Sequence, residues 1–332
     1  MKFDHNNISP LDSRYANKIS NFRENFSESA LIKIRFEIEI EWILFLCNKL
    51  PKTFKPLSKN SIEKIINFKN KFDNKSVLKI KKIEATTNHD VKAVEYFIRD
   101  YFKKDKVLSS YIHLIHFGLT SEDINSLSYA VMIKKGISLY INEISTLNKV
   151  LKSYSKKWAN VAFLARTHGQ PASPSTLGKE FKVFAARLDR EISILKSVKP
   201  LAKFSGATGN YHTFAVVDNK IKWSQINKKF IKQFSVDQNP YTTQIEPHDW
   251  IAEACHSLIR VNNIMIDLCQ DSWIYISNDI FALKLLKNEV GSSTMPHKVN
   301  PIDFENAEGN FGISSTLLDF FANKLTKSRH QR

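Results

Sequence analysis

The stretch Ile251-Ala252-Glu253-Ala254-Cys255-His256-Ser257-Leu258-Ile259-Arg260-Val261-Asn262-Asn263-Ile264-Met265-Ile266-Asp267-Leu268 sets Ile251, Ala254, Leu258, Val261, Met265 and Leu268 at alternating spacings of three and four. A helix turning every 3.6 residues brings those side chains into one apolar stripe, here about five turns long. A stripe that regular is the seam of a helix bundle, because it buries only when other helices lie along it. The same periodicity recurs on both sides. Val91, Val94, Ile98 and Tyr101 share a helix face, as do Ile62, Ile65, Ile66 and Phe72. The long segments 121–154 and 173–198 carry apolar residues at mixed spacings of three and four. The expected fold class is therefore all-α.

One segment runs against this pattern. Ile32, Ile34, Phe36, Ile38, Ile40 and Trp42 alternate with Lys33, Arg35, Glu37, Glu39 and Glu41, which taken alone is a strand signal. The helix-favouring Glu, Lys and Arg, the length of the segment, and i,i+4 pairing of Lys33 with Glu37 and of Arg35 with Glu39 favour a helix. The breaks between helices are short and polar: Asn88-His89-Asp90, Thr120-Ser121-Glu122-Asp123, and loops at 166–174, 206–209 and 291–301. Thr120 to Asp123 reads as a helix cap with an acidic third position. A smaller N-terminal helical domain, 1–116, is expected to give way to a central bundle domain, 117–332, without a Gly/Ser linker.

A chain of 332 residues with 42% hydrophobic content can bury a sizeable core and implies two or more domains. Its net charge of +16 would attract phosphates, carboxylates or nucleic acid. The lysines are spread along the chain rather than clustered, and Lys far outnumbers Arg, so composition alone accounts for much of the charge. No basic stripe with interleaved aromatic residues marks a nucleic-acid surface, and nucleic acid is not the expected partner. The three cysteines, Cys47, Cys255 and Cys269, are odd in number and form no CxxC, so neither a disulfide framework nor a zinc site is expected. The longest apolar run, 42–47, is too short to cross a bilayer, and Met1-Lys2-Phe3-Asp4-His5 opens no signal-peptide core. A soluble, cytoplasmic protein with no membrane partner is expected.

Chemistry concentrates in two loops. Gly291-Ser292-Ser293-Thr294-Met295-Pro296-His297-Lys298-Val299-Asn300-Pro301 offers hydroxyls, an ammonium and an amide just before a helix expected near Ile302. A helix N-terminus beside a lysine suits an anion, and an alkoxide on serine would be stabilised there. On generic grounds alone such a loop is more often a solvated connector with a capping serine. Arg166-Thr167-His168-Gly169-Gln170-Pro171-Ala172 carries a histidine, whose ordinary pKa of about 6.5 suits a general acid.

At every fixed position, the 291–301 run resembles the signature loop of the fumarase/aspartase superfamily. The histidine in Met-Pro-His-Lys and the Arg-Thr-His-Gly-Gln-Pro-Ala run are similar to those of bacterial adenylosuccinate lyases. The resemblance implies that Ser292 is the general base and His168 the general acid, and that no cofactor is used. It further implies substrate contacts at Arg14 and Tyr15 in Ser9-Pro10-Leu11-Asp12-Ser13-Arg14-Tyr15, and at Asn88, His89 and Asp90. Thr120 and Ser121 would hold a substrate carboxylate, and Gln244 would bind substrate. Ser293, Lys298, Val299, Asn300, Asn306, Arg329 and Arg332 complete the expected binding set. The implied substrate is a succinyl-purine nucleotide, and the implied assembly is a homotetramer with shared active sites. Relatives in that family continue into a third helical domain that would be absent here. A helix from about Asp303 that ends at Arg332 would then lack a return partner and expose apolar surface. The competing readings are an inactive truncated relative, another superfamily lyase acting on argininosuccinate, and a basic nucleic-acid-binding protein.

Overall fold

The computed structural model describes residues 6–284, 291–295 and 297–328. Helices dominate: α1 (Ser20–Phe26), α2 (Glu28–Lys49), α3 (Lys59–Asn70), α4 (Asn74–Thr87), α5 (Asp90–Lys103), a 3-10 helix (Leu108–Leu114), α6 (Ser121–Lys157), α7 (Leu177–Ser197), α8 (His212–Val217), α9 (Trp223–Lys232), α10 (Asp249–Ser277) and α11 (Ile302–Leu325). Strands β1 (Ala162–Thr167) and β2 (Gln170–Thr176) form an antiparallel hairpin, and β3 (Leu201–Ala202) and β4 (Asp237–Gln238) a short parallel pair. The described residues divide into two compact units, one of 6–139 and 199–247 with Ser328, the other of 140–198, 248–284, 291–295 and 297–327.

The first unit is organised on α2. The strand-like alternation of its sequence folds as a helix, started by Ser27, whose hydroxyl accepts from the Ala30 N–H. Burial explains the unusual pattern. Ile32, Phe36, Ile38, Ile40, Trp42, Ile43, Phe45 and Leu46 are all buried, so apolar residues are needed around most of the helix. Phe36 stacks on Phe72 at 4.6 Å between ring centres and meets Phe68 edge-on at 5.1 Å. Trp42 meets Phe230 at 4.8 Å and Phe204 at 5.1 Å, and its indole N–H donates to the Phe117 carbonyl at 3.0 Å. Each such ring contributes roughly 1.5–3 kcal/mol by leaving water. Of the two expected i,i+4 pairs only Lys33–Glu37 forms, at 3.9 Å. Arg35 turns to Asp90 and Glu39 to His116.

The second unit contains the heptad seam. Ile251, Ala254, Val261 and Met265 of α10 are buried, with Leu258 and Leu268 at its margin. Helices α7 and α11 pack along α10. Polar cross-links fix the register: Glu191 of α7 accepts from the Ser257 hydroxyl at 3.0 Å and from Arg260, and the Asn262 amide donates to the Ser314 and Ser315 hydroxyls at 3.1 Å. The segment expected as a loop at 166–174 is instead the β1–β2 hairpin, and the helix expected from 173 begins at Leu177. Pro171 and Pro174 favour extended backbone before them, and the Thr176 hydroxyl caps α7 by accepting from the Lys179 N–H at 3.3 Å.

Gly178 lies where a side chain has no room. A Cβ there would collide with the Ser155 carbonyl and lie 2.7 Å from the Ala159 Cα, whereas Gly309 in α11 has open space. Gly178→Ala should cost about 1–3 kcal/mol by overpacking. Gly309→Ala should be neutral or stabilising by about 1 kcal/mol at most, since alanine favours helix. Urea denaturation of the two variants checks the contrast, and equal stabilities would contradict it.

Candidate active site

In the first unit α2 joins two of the expected substrate segments. Asn88 closes α4 in the left-handed conformation, with φ of +49°. His89 caps α5, and its Nδ1 accepts from the Lys92 N–H at 3.2 Å, which leaves the ring proton on Nε2. Asp90 accepts from the Val91 N–H at 2.8 Å and pairs with the buried Arg35 guanidinium at 2.8 Å. Partial burial works against its charge, but Arg35 and the Val91 N–H outweigh it and hold the carboxyl below its ordinary range.

One turn along α2, Glu39 takes up His116. It accepts from the His116 N–H at 3.0 Å and contacts Nδ1 at 2.6 Å, with Glu95 at 3.7 Å behind. Burial would lower the imidazole pKa, but the Glu39 carboxylate in contact, helped by Glu95, raises it. Arg35 and Glu39 therefore hold the 88–90 segment and the 116–121 turn on one helix. This support was not legible in the sequence, where the two charges read as a pair with each other.

Thr120 and Ser121 lie at the start of α6, both half-buried. The Thr120 N–H donates to Asp123 at 2.8 Å, as the expected cap requires. Asp123 also accepts from the Ser205 and Gly206 N–H groups and from the Lys203 ammonium. Ser205 in turn lies 3.2 Å, hydroxyl to hydroxyl, from Thr242. Gly209, at φ of +84°, presses on the Thr242 and Thr243 carbonyls where no Cβ would fit. Gln244 follows directly and is exposed. Arg14 is exposed and Tyr15 half-buried within a run of turns, and no ion pair ties Arg14 to its neighbours among the described residues.

The second unit carries the expected acid and base. His168 and Gly169 are the two central residues of the β1–β2 turn, with φ of +52° and +75°. Both positive values define a type I′ turn, which matches the twist of the flanking strands. Glycine meets this demand without strain, and histidine is among the residues that tolerate it. The turn holds the His168 ring out as an exposed side chain, steadied by Arg166 donating to the Gly169 carbonyl at 3.2 Å. In the 291–301 loop the Ser292 hydroxyl accepts from the Met295 N–H at 3.2 Å, and the Asn300 N–H donates to the Gly291 carbonyl at 3.0 Å. Ser293 and Lys298 are exposed, while Val299 and Asn300 are half-buried. Pro301 stands as the cap before α11. Asn306 is exposed on α11, its carbonyl accepting from Asn310 at 2.7 Å. No hydrogen bond joins His168 to this loop among the described residues. Arg329 and Arg332 lie outside the described residues. No group of three or more His, Cys, Asp or Glu among the described residues is placed to hold a metal ion.

The chain matches the lyase family over residues 13–312. It is similar in fold to fumarate lyase from Mesorhizobium sp. BNC1, with a TM-score of 0.74 at 17% identity, covering 94% of this chain and 67% of that one. It is also similar to β-carboxy-cis,cis-muconate cycloisomerase from Acinetobacter calcoaceticus, with a TM-score of 0.73 at 17% identity, covering 96% and 70%. It is 47% identical to adenylosuccinate lyase of Legionella pneumophila (strain Corby), over 98% of this chain and 72% of the relative. It is 42% identical to adenylosuccinate lyase of Escherichia coli (strain K12), over the same 98% and 72% shares. The chain belongs to the adenylosuccinate lyase family, whose members are carbon–nitrogen lyases. The argininosuccinate and nucleic-acid readings are not favoured.

The raised pKa of His116 sets the sign of a pH effect. A group whose folded pKa exceeds its unfolded value stabilises fully below the unfolded value, about 6.5 for His, and loses that contribution as pH rises through the folded value. The stability advantage of wild type over His116→Asn should therefore shrink as pH rises above about 6.5. Denaturant titrations of both proteins across that range check it. An advantage that grows with pH would contradict the Glu39–His116 ion pair.

Proposed function

We propose that this protein eliminates fumarate from adenylosuccinate, giving AMP, and from the related pathway substrate SAICAR, giving AICAR. The observation that carries this reading is the 47% identity to an adenylosuccinate lyase over 98% of the chain. Ser292 removes the proton next to a carboxylate of the succinyl group. The electron pair left on that carbon delocalises onto the carboxylate, then forms the double bond of fumarate as the C–N bond breaks. The bonding pair leaves with the exocyclic nitrogen of the nucleotide, which takes a proton from His168.

Serine is a poor base in water, so it needs help to carry a negative charge. The Met295 N–H aimed at the Ser292 oxygen supports the alkoxide over the hydroxyl. Lys298 and Asn300, a few residues on, supply charge and an amide for the developing carboxylate dianion. Closure of the loop would exclude water and strengthen each of these contacts. Arg14 and Tyr15 meet the phosphate and base, Asn88, His89, Asp90 and Gln244 hold substrate, and Thr120 and Ser121 hold a carboxylate. Ser293, Val299, Asn306, Arg329 and Arg332 complete the binding set. No cofactor enters the chemistry.

The working form is a homotetramer in the cytoplasm, with each active site drawn from several subunits. Supporting this, Ile313, Leu317, Phe320 and Phe321 stand exposed on α11 at a spacing that makes one apolar face, an arrangement suited to burial against another copy. No helix of the described residues is long and apolar enough to cross a membrane.

Ser292→Ala and His168→Ala should each lower turnover by on the order of 10²–10⁴-fold while substrate binding stays nearly intact. A spectrophotometric assay of fumarate release, paired with calorimetric binding, measures both quantities. Retained turnover in Ser292→Ala would transfer the base role to Ser293. Wild-type chain that releases no fumarate from either substrate would overturn the reading.

A further inference from the structure

The proton transfers make no use of Lys203, yet it is the most deeply enclosed cation among the described residues. Both Lys203 and Asp123 are 0% exposed. The ammonium lies 2.5 Å from the Asp123 carboxylate and 2.6 Å from the Gly206 carbonyl. Asp123 receives three backbone donors besides: Thr120 N–H at 2.8 Å, Ser205 N–H at 2.8 Å and Gly206 N–H at 3.1 Å. Four donors match the four lone-pair positions of a carboxylate, so its charge is fully compensated. A buried ion pair is costly unless it is satisfied in this way, and hydrophobic residues of the same volume often stabilise as well or better. Packing alone therefore gives no reason for this pair.

Its position does. The strap 203–206 is bound along its length, through Asp123, to the turn that carries Thr120 and Ser121. Its backbone is further fixed by the Ser126 hydroxyl, which accepts from the Lys203 N–H at 3.0 Å, and by Asn227, whose amide donates to the Phe204 carbonyl at 2.6 Å. Through its hydroxyl, Ser205 also reaches Thr242, two residues before Gln244. With the Thr120 N–H committed to Asp123, the hydroxyls of Thr120 and Ser121 and the Ser121 amide remain for a ligand. They stand at the N-terminus of a long helix, where a carboxylate is favoured.

We propose that Asp123 and Lys203 are positioning residues that hold the Thr120-Ser121 turn and the 242–244 stretch in one rigid frame, and so set the affinity for the succinyl half of the substrate. This rests on the adenylosuccinate-cleaving reading above. Neither residue touches substrate. The pair acts through the turn, whose donors must already be aligned when the carboxylate arrives.

The test uses the whole 332-residue chain, after wild type has been shown to release fumarate; failure at that step overturns the function, not this inference. Lys203→Met keeps the volume and removes the ammonium. It should raise KM for adenylosuccinate, and for fumarate in the reverse direction, by about ten-fold or more, while the AMP dissociation constant changes by less than about two-fold. The double variant K203M/D123N removes both charges and so leaves no unpaired buried carboxylate, although one backbone N–H then faces the amide NH2, and its KM should fall part of the way back from that of Lys203→Met. If Lys203→Met does not fold, Asp123→Asn is read by the same two constants, and the double variant remains as the rescue. An unchanged KM overturns the proposal. Equal weakening of AMP and of the succinyl ligands also overturns it, because a merely structural role would damage both.

Discussion

The buried carboxylate of Asp123 is the constraint that ties the Thr120–Ser121 turn to the 203–206 strap. A carboxylate out of water must have its charge answered, and here the answer comes from two places in the chain at once. Thr120 supplies an N–H from three residues back, while Lys203, Ser205 and Gly206 come from some 80 residues on. Satisfying one charge thus brings two distant segments together. The cost of leaving any donor out makes the arrangement specific.

The same principle operates on α2. Arg35 and Glu39 sit in a helix otherwise lined with buried aromatic and aliphatic side chains. Neither charge could be tolerated there alone. Each is matched by a group from another segment, Asp90 and His116, and those partners belong to the two loops expected to meet substrate. Polar groups in an apolar setting therefore act as fixed points for flexible connections. The apolar rings around Phe36 and Trp42 supply the bulk of the free energy, and the ion pairs supply the register.

The acid and base candidates are presented differently. His168 is exposed at the tip of a two-residue hairpin turn, and Ser292 lies in a loop ahead of α11. Both rest on local backbone geometry rather than on buried partners. A group that must exchange a proton with a ligand needs access, and a reacting loop needs freedom to close. Exposure of His168 and only partial burial of Ser292 are consistent with such work, just as full burial suits Asp123 and Lys203.

The sequence by itself determined the helical class, the seam of α10, the start of α6 and the loops in which polar residues cluster. These follow from spacing and capping, which act over a few residues and can be read in order. It misled over 166–176, where two prolines and a positive-φ turn make a hairpin out of an expected loop and helix start. It was ambiguous over 32–42, because a helix buried on most sides needs apolar residues at positions that also alternate. Only the tertiary structure decided which charges meet. Arg35 lies four residues from Glu39 yet pairs with Asp90, and Asp123 finds Lys203 across the chain. The physical reason is that the energy of a buried charge depends on everything packed around it, and proximity in sequence says little about which partner will be there when water is gone.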